Sequence, residues 1–205
     1  MFTSWTFIGE GAFLCTTDAS GKDGVGGYVF VGGREGEVWT VSEPWPGDLQ
    51  AARARDAAQK GAAGRKRRRS EHGGPALSIP AAELFTAWAV ADAVAEAVGE
   101  QPHGVAAIVD SESAALALAK ASSGEPAMHH ILVQARRAST VWLGVAVPRE
   151  ANVDADRLSH PALRHLVERE ASEARLRVHS VRLGDRHWDA LREALARRER
   201  RISWS

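Results

Sequence analysis

The first part of the chain alternates apolar and polar positions in short runs, which is typical of β-strands. Runs rich in β-forming residues cover residues 12–17, 25–31 and 37–41, and glycine-rich turns connect them. Strands joined by such short turns pair with their neighbours in sequence. We therefore expect a three-stranded antiparallel meander.

Beyond residue 78 the apolar positions adopt helical spacing, interrupted by short apolar runs. A long helix is predicted from Ile79 to Gly99, with Pro80 in its first turn. The element order β-β-β-α-β-α-α-β-α indicates the α/β class, with a mixed sheet flanked by helices. The other elements of this part are strands at 105–109 and 140–147 and helices at 113–121, 126–138 and from residue 153.

Two segments stand apart from this core, which we place at residues 1–160. Residues 44–78 contain few apolar side chains and an Arg-Lys-Arg-Arg-Arg run at 65–69. We expect a flexible basic insertion there, with a transient helix at most. Residues 161–205 predict a C-terminal α/β extension, packed on or beside the core, with a basic amphipathic helix at 188–200.

Composition bounds the setting of the protein. The chain has 205 residues, enough for one full domain, and no apolar run approaches the ~18–20 residues of a membrane helix. Glu10 and the lack of a basic start argue against a secretory signal, and the single Cys15 forms no internal disulfide. We expect a cytoplasmic protein without a membrane partner, and its Ala, Gly and Arg content is typical of a bacterial or phage source.

The net charge of zero conceals an uneven distribution. Residues 51–72 carry a charge of +6 and residues 186–201 a charge of +3, which leaves −9 on the remainder. Such a chain suits a protein that holds cations in an acidic body and a polyanion on basic segments. Ordinary solvated surfaces would give the same counts.

Four acidic residues stand at comparable places near the ends of these elements. Asp18 ends the first strand, and Asp110 ends the fourth. Glu83 lies in the first turn of the long helix, and Asp156 lies early in the helix after the fifth strand. Carboxylates without His or Cys are the ligands that Mg²⁺ prefers.

Each acid also has a simpler explanation. Asp18 would serve as a turn cap, Glu83 as a favourable charge at a helix start, and Asp110 as an N-cap. Asp154 and Asp189 compete with Asp156 for the fourth position.

The motifs around these acids resemble the ribonuclease H domains of retroelement reverse transcriptases, over residues 12–160. The matching features are Asp18-Ala19-Ser20 before a glycine-rich turn, Glu83-Leu84, Asp110-Ser111, and a Val-Pro loop followed by Asn152, Asp156 and Leu158-Ser159. The resemblance implies a ribonuclease H-like five-stranded sheet, with three antiparallel strands followed by parallel strands.

The resemblance also implies an activity. The expected enzyme is an endonuclease that hydrolyses the RNA strand of RNA–DNA hybrids, with Asp18, Glu83, Asp110 and Asp156 holding two Mg²⁺ or Mn²⁺ ions. A non-catalytic nucleic-acid-binding module of the same fold, and a nuclease of the same superfold that acts on DNA, stay open as alternatives.

Candidate contacts to nucleic acid fall into two groups. Ser20, Ser111 and Asn152 flank the acids, although both serines would also fit as caps of their own turns. A flexible basic run binds phosphates without reading sequence, while a plain linker or a nuclear-import signal would have similar composition. The run consists of Arg65, Lys66, Arg67, Arg68 and Arg69.

Overall fold

The protein is built around one mixed β-sheet with helices on both faces. The computed structural model describes residues 9–62, 76–136 and 140–202. The strands are β1 (Ala12–Ala19), β2 (Gly24–Val31), β3 (Glu37–Pro44), β4 (Gly104–Val109), β5 (Val141–Ala146) and β6 (Arg177–Val181). The helices are α1 (Gly47–Ala62), α2 (Ile79–Val98), α3 (Glu112–Lys120), α4 (Pro126–Arg136), α5 (Val153–Leu158), α6 (Arg164–Glu173) and α7 (Asp185–Ile202).

The strand order confirms the predicted fold class. The sheet runs β5-β4-β1-β2-β3-β6, with β2 antiparallel to both of its neighbours, β1 and β3. β4 is parallel to β1, and β5 is parallel to β4. The predicted C-terminal extension contributes β6 as a sixth strand, parallel to β3, and its last helix, α7, packs against α4.

One face of the sheet is closed by α2, which packs against β1, β2 and β4. This helix consists largely of Ala and Val, and it is buried along most of its length. Its ends follow from local chemistry, because Ser78 caps the first turn and Gly99 takes the left-handed conformation with φ of 76°. Small side chains allow the helix to lie close to the strands.

The opposite face is covered by the short helix α5, which contacts β1, β2 and β3, and by α6, which packs on β6. A close approach at Gly26 permits this, since a Cβ there would lie 2.1 Å from the carbonyl carbon of Leu158. The Ser42 hydroxyl also donates a hydrogen bond to the Leu158 carbonyl, at 2.5 Å. On the edge strand β5, the side chains Val141, Leu143 and Val145 are exposed.

The first part of the segment predicted as a flexible insertion, residues 44–78, forms a packed helix instead. Leu49 and Ala52 are buried and give α1 an apolar face toward the core, and Trp45, just before the helix, is buried too. Near its other end, Leu77 is buried and accepts a hydrogen bond from Arg53 at 2.9 Å. The arginine-rich run at 65–69 lies outside the described residues.

Among the described helices, none combines the length and the apolar character needed to cross a bilayer.

Candidate metal centre

The sheet register brings two of the predicted acids together. β1 and β4 are parallel and pair Thr16 with Ile108, so two residues further along both strands Asp18 stands beside Asp110. Helix α2 crosses β1 and adds Glu83. One carboxylate oxygen from each of these three acids lies within 4.8 Å of the other two. Side chains far apart in sequence therefore form one acidic cluster.

Glu83 is the most enclosed member of this cluster. It is the fifth residue of α2, so it lies just beyond the first turn in which it was predicted. The side chain is 2% exposed, and its Oε1 accepts a hydrogen bond from the backbone N–H of Ala19 at 3.0 Å. Oε2 is buried without a hydrogen-bond partner among the described residues. Such an oxygen is costly to bury unless a proton or a cation satisfies it.

The electrostatics of the cluster follow from burial and like charge. Burial raises the pKa of Glu83 well above its ordinary value, and the neighbouring Asp18 and Asp110 raise it further. The pKa of Asp18 is raised for the same first reason, with added repulsion from Asp110 and Asp156. Burial also raises the pKa of Asp110, which the charge of Arg149 opposes. Cations are the natural means of keeping these carboxylates ionised together.

Serines, and not the three acids, accept the capping hydrogen bonds at the turn and at the two helix starts. Ser20 closes the β1–β2 turn, Ser78 caps α2, and Ser111 caps α3. Each hydroxyl accepts a hydrogen bond from a backbone N–H three residues further on, at 3.2–3.3 Å. In the β1–β2 turn and at the starts of α2 and α3, capping is thus provided by a serine and not by the acid. Ser20 and Ser111 fix their own turns, and their predicted contacts with nucleic acid stay predictions.

Asp156 lies beside the cluster but faces a cation of its own. Its Oδ1 is 2.7 Å from Nη2 of Arg149, which stands in the turn at Arg149–Ala151. Its charge raises the pKa of both Asp18 and Asp110, so it lies near the three-acid group. No signal in the sequence indicates the Arg149 pair, because the partners lie seven positions apart on different elements, a short turn and α5.

The rival acids have partners elsewhere. Asp154 lies 3.6 Å from Arg157, and Asp189 lies 2.9 Å from Arg192 on α7. Asp156 is the better candidate for the fourth position, because its charge acts on Asp18 and Asp110.

Asn152 is buried against β1, and its predicted contact with nucleic acid stays a prediction. It is 1% exposed, and its Nδ2 donates a hydrogen bond to the Thr17 carbonyl at 2.9 Å. Its Oδ1 is buried without a partner among the described residues. The side chain ties the loop before α5 to the strand residue that precedes Asp18.

A second group of ligand-type side chains joins α2 to α7. It consists of Asp92, Glu96 and the fully buried His187. Arg186 forms ion pairs with both acids, and His187 Nε2 lies 3.1 Å from Asp92 Oδ2. These contacts give both acids a partner, so the group is explained as a structural link.

Comparison with known proteins adds two structural similarities. No family model matches the chain, and neither does any curated protein.

The chain is similar to two solved ribonuclease H structures. The ribonuclease H1 of the halophilic archaeon Halobacterium salinarum NRC-1 aligns with 72% of this chain and 93% of its own, at 18% identity and a TM-score of 0.43. The N-terminal ribonuclease H domain of rv2228c from Mycobacterium tuberculosis, solved as a fusion with maltose-binding protein, aligns with 78% and 98%, at 19% identity and a TM-score of 0.41. At this level of similarity, function has to be argued from the chain's own side chains.

Proposed function

We propose that this protein is a divalent-metal-dependent nuclease that hydrolyses phosphodiester bonds, with the RNA strand of RNA–DNA hybrids as its substrate. One observation carries the proposal. Three carboxylates from β1, α2 and the end of β4 meet within 4.8 Å, and the Glu83 oxygen Oε2 has no hydrogen-bond partner among the described residues. A structural role does not require such a cluster.

The donor set fits hard divalent cations such as Mg²⁺ or Mn²⁺. All the ligand atoms are carboxylate oxygens, and His and Cys take no part in the cluster. Asp18, Glu83 and Asp110 would hold the ions, with Asp156 completing the set of four. Two such ions, when bound, would activate a water and stabilise the leaving oxygen of the phosphodiester.

The surrounding residues hold the ligands in place. The Ala19 N–H fixes one oxygen of Glu83, and Asn152 holds the backbone next to Asp18. Asp110 and Asp156 are partly exposed, so a phosphodiester reaches the cluster from their side. Preorganised ligands of this kind need little rearrangement at the moment of reaction.

The substrate class is inferred from the resemblance and from charge. A hybrid would be recognised by its A-like shape and by contacts to 2′-hydroxyls. The basic run at 65–69 supplies positive charge for phosphate contacts.

A cleavage assay tests the proposal directly. Labelled RNA–DNA hybrid, duplex RNA and duplex DNA are incubated with the protein, with Mg²⁺, Mn²⁺ or EDTA. We expect metal-dependent cutting of the RNA strand of the hybrid. Asp110→Asn should lower the rate by roughly a hundredfold or more, since even residues that only support metal ligands contribute 10–100-fold. Asp189→Asn, on α7, is the matched control and should retain the wild-type rate.

The outcomes separate the alternatives. Salt-sensitive binding that survives Asp110→Asn, with no cleavage by the wild type, would identify a non-catalytic module. Preferential cutting of duplex DNA would identify a DNA-acting nuclease.

A further inference from the structure

Arg149 is a cation that lies close to the acidic cluster. Its guanidinium pairs with Asp156 at 2.7 Å, yet 71% of its side chain is exposed, against 30% for Asp156. It stands in a short turn directly before α5. A long, exposed side chain held by one carboxylate has room to change partners.

The field of Arg149 reaches beyond its direct partner. Burial raises the pKa of both Asp18 and Asp110, and the charge of Arg149 acts on each in the opposite direction. Arg149 thus already acts as a counter-cation for the cluster. Asp156 does not belong to the group of three acids whose oxygens lie within 4.8 Å of one another. In this arrangement the fourth carboxylate is paired with a guanidinium.

A divalent cation at Asp156 would compete with that pair. Solvent-exposed ion pairs are weak because water and salt screen both charges, so exchange is energetically accessible. The released guanidinium carries a planar set of donors that matches a phosphate. Once released from Asp156, the Arg149 guanidinium is therefore suited to bind a phosphate of the nucleic acid.

We propose that Arg149 is an exchangeable counter-cation: it neutralises Asp156 in the metal-free protein, yields that carboxylate to a divalent cation, and then contacts a phosphate of the nucleic acid. This proposal deepens the proposed function, on which it rests. It makes Arg149 a positioning residue that sets how much divalent cation the protein requires.

The test measures metal binding without nucleic acid. Mg²⁺ and Mn²⁺ are titrated into wild type and Arg149→Gln by isothermal calorimetry. Removing a positive charge next to the ligands should tighten binding by roughly threefold to tenfold. Arg177→Gln is the matched control. Arg177 lies on β6, away from the cluster; its side chain is 73% exposed and pairs with Glu37 of β3 at 2.9 Å. It should bind both ions as the wild type does.

A double-mutant cycle distinguishes competition for Asp156 from a long-range electrostatic effect of Arg149 on the whole cluster. In an Asp156→Asn background, Arg149→Gln should give a clearly smaller gain, since the paired carboxylate is gone. An equal gain in both backgrounds, an unchanged or weaker affinity in Arg149→Gln, or no metal binding by either protein would each overturn the proposal.

A second measurement addresses the phosphate contact. With Ca²⁺ present, Arg149→Gln should bind hybrid more weakly, and the slope of log affinity against log salt should fall by about one. An unchanged slope would contradict the transfer to phosphate. Because the metal titration contains no nucleic acid, tighter ion binding without any cleavage would refute the nuclease and leave the exchange standing. Cleavage without tighter ion binding would do the reverse.

Discussion

The backbone N–H of Ala19 donates a hydrogen bond to Glu83 Oε1 at 3.0 Å, across 64 residues of sequence. This contact fixes a helix carboxylate against the residue that follows Asp18. It also leaves the second oxygen, Oε2, as the atom that needs a cation or a proton. The end of β1 and helix α2 are therefore joined by a hydrogen bond within the candidate site. Because Glu83 takes part in this bond and is a candidate metal ligand, stability and metal binding are coupled there.

Replacing Glu83 should stabilise the metal-free protein. Burial raises the pKa of Glu83 well above 4.5, so its contribution to stability is full below that ordinary value and is lost as pH rises through the raised pKa. Glu83→Gln removes this loss and retains the oxygen that faces Ala19. We expect its free energy of unfolding at pH 7.5 to exceed that of the wild type by about 1–3 kcal/mol.

Urea unfolding in EDTA between pH 4.5 and 8 measures this difference. The advantage of Glu83→Gln should shrink as pH falls through the raised pKa. Glu173→Gln, an exposed residue on α6, is the control and should change stability by less than about 0.5 kcal/mol. A variant that is less stable than the wild type at every pH would disprove the argument.

Divalent cations should raise the thermal unfolding midpoint of the wild type. A ligand that binds only the folded state stabilises it by RT ln(1 + [L]/Kd), about 2.7 kcal/mol at a hundredfold excess over Kd. The gain should weaken as pH is lowered, because the raised pKa values of Asp18 and Asp110 let protons compete early. Scanning calorimetry with Mg²⁺ or Mn²⁺ measures the shift. Asp18→Asn should abolish most of it, while Asp189→Asn should preserve it.

Gly26 should tolerate no side chain. A Cβ at this position would lie 2.1 Å from the Leu158 carbonyl carbon, so Gly26→Ala would push α5 away from β2. We expect a loss of about 1–3 kcal/mol in stability, together with weaker metal binding through displaced Asp156. A Cβ at Gly124 would have no atom within 4 Å, so Gly124→Ala is the control. Equal stability of the two variants would show that α5 does not depend on this approach.

Asn152 should matter for stability more than for substrate contact. Removing its side chain leaves the buried Thr17 carbonyl without the 2.9 Å hydrogen bond, which costs about 1–3 kcal/mol. Gln50→Ala removes a comparable hydrogen bond to the Lys22 carbonyl on the surface and should cost much less. Denaturant unfolding compares them. If Asn152→Ala instead retains full stability and loses hybrid affinity, Asn152 contacts nucleic acid as its sequence motif predicts.

The basic run should govern affinity for nucleic acid and not chemistry. Replacing residues 65–69 by Gly and Ser should weaken hybrid binding at low salt and make its salt dependence shallower, by about 0.9 for each phosphate that the protein no longer neutralises. Fluorescence anisotropy over a range of salt concentrations measures this. The cleavage rate at saturating substrate should be retained. A salt slope equal to that of the wild type would indicate a linker.

The order of strands and helices could be predicted because the spacing of apolar residues, which distinguishes strands from helices, is a property of each short segment. The alternation at 25–31 and the helical spacing from Ile79 needed only neighbouring residues, and the resulting sheet confirms the fold class. The start of the insertion was harder. Three apolar residues, Trp45, Leu49 and Ala52, were too few to indicate a buried face until the core they meet was present.

Residue type and spacing were enough to predict the strands, the long helix and the four acids. Three features of the site depend on tertiary packing: the enclosure of Glu83 with one unsatisfied oxygen, the pairing of Arg149 with Asp156, and the burial of Asn152. The physical reason is that desolvation and charge pairing depend on which surfaces meet. Residues 64 or 135 positions apart are joined through hydrogen bonds that no local pattern encodes.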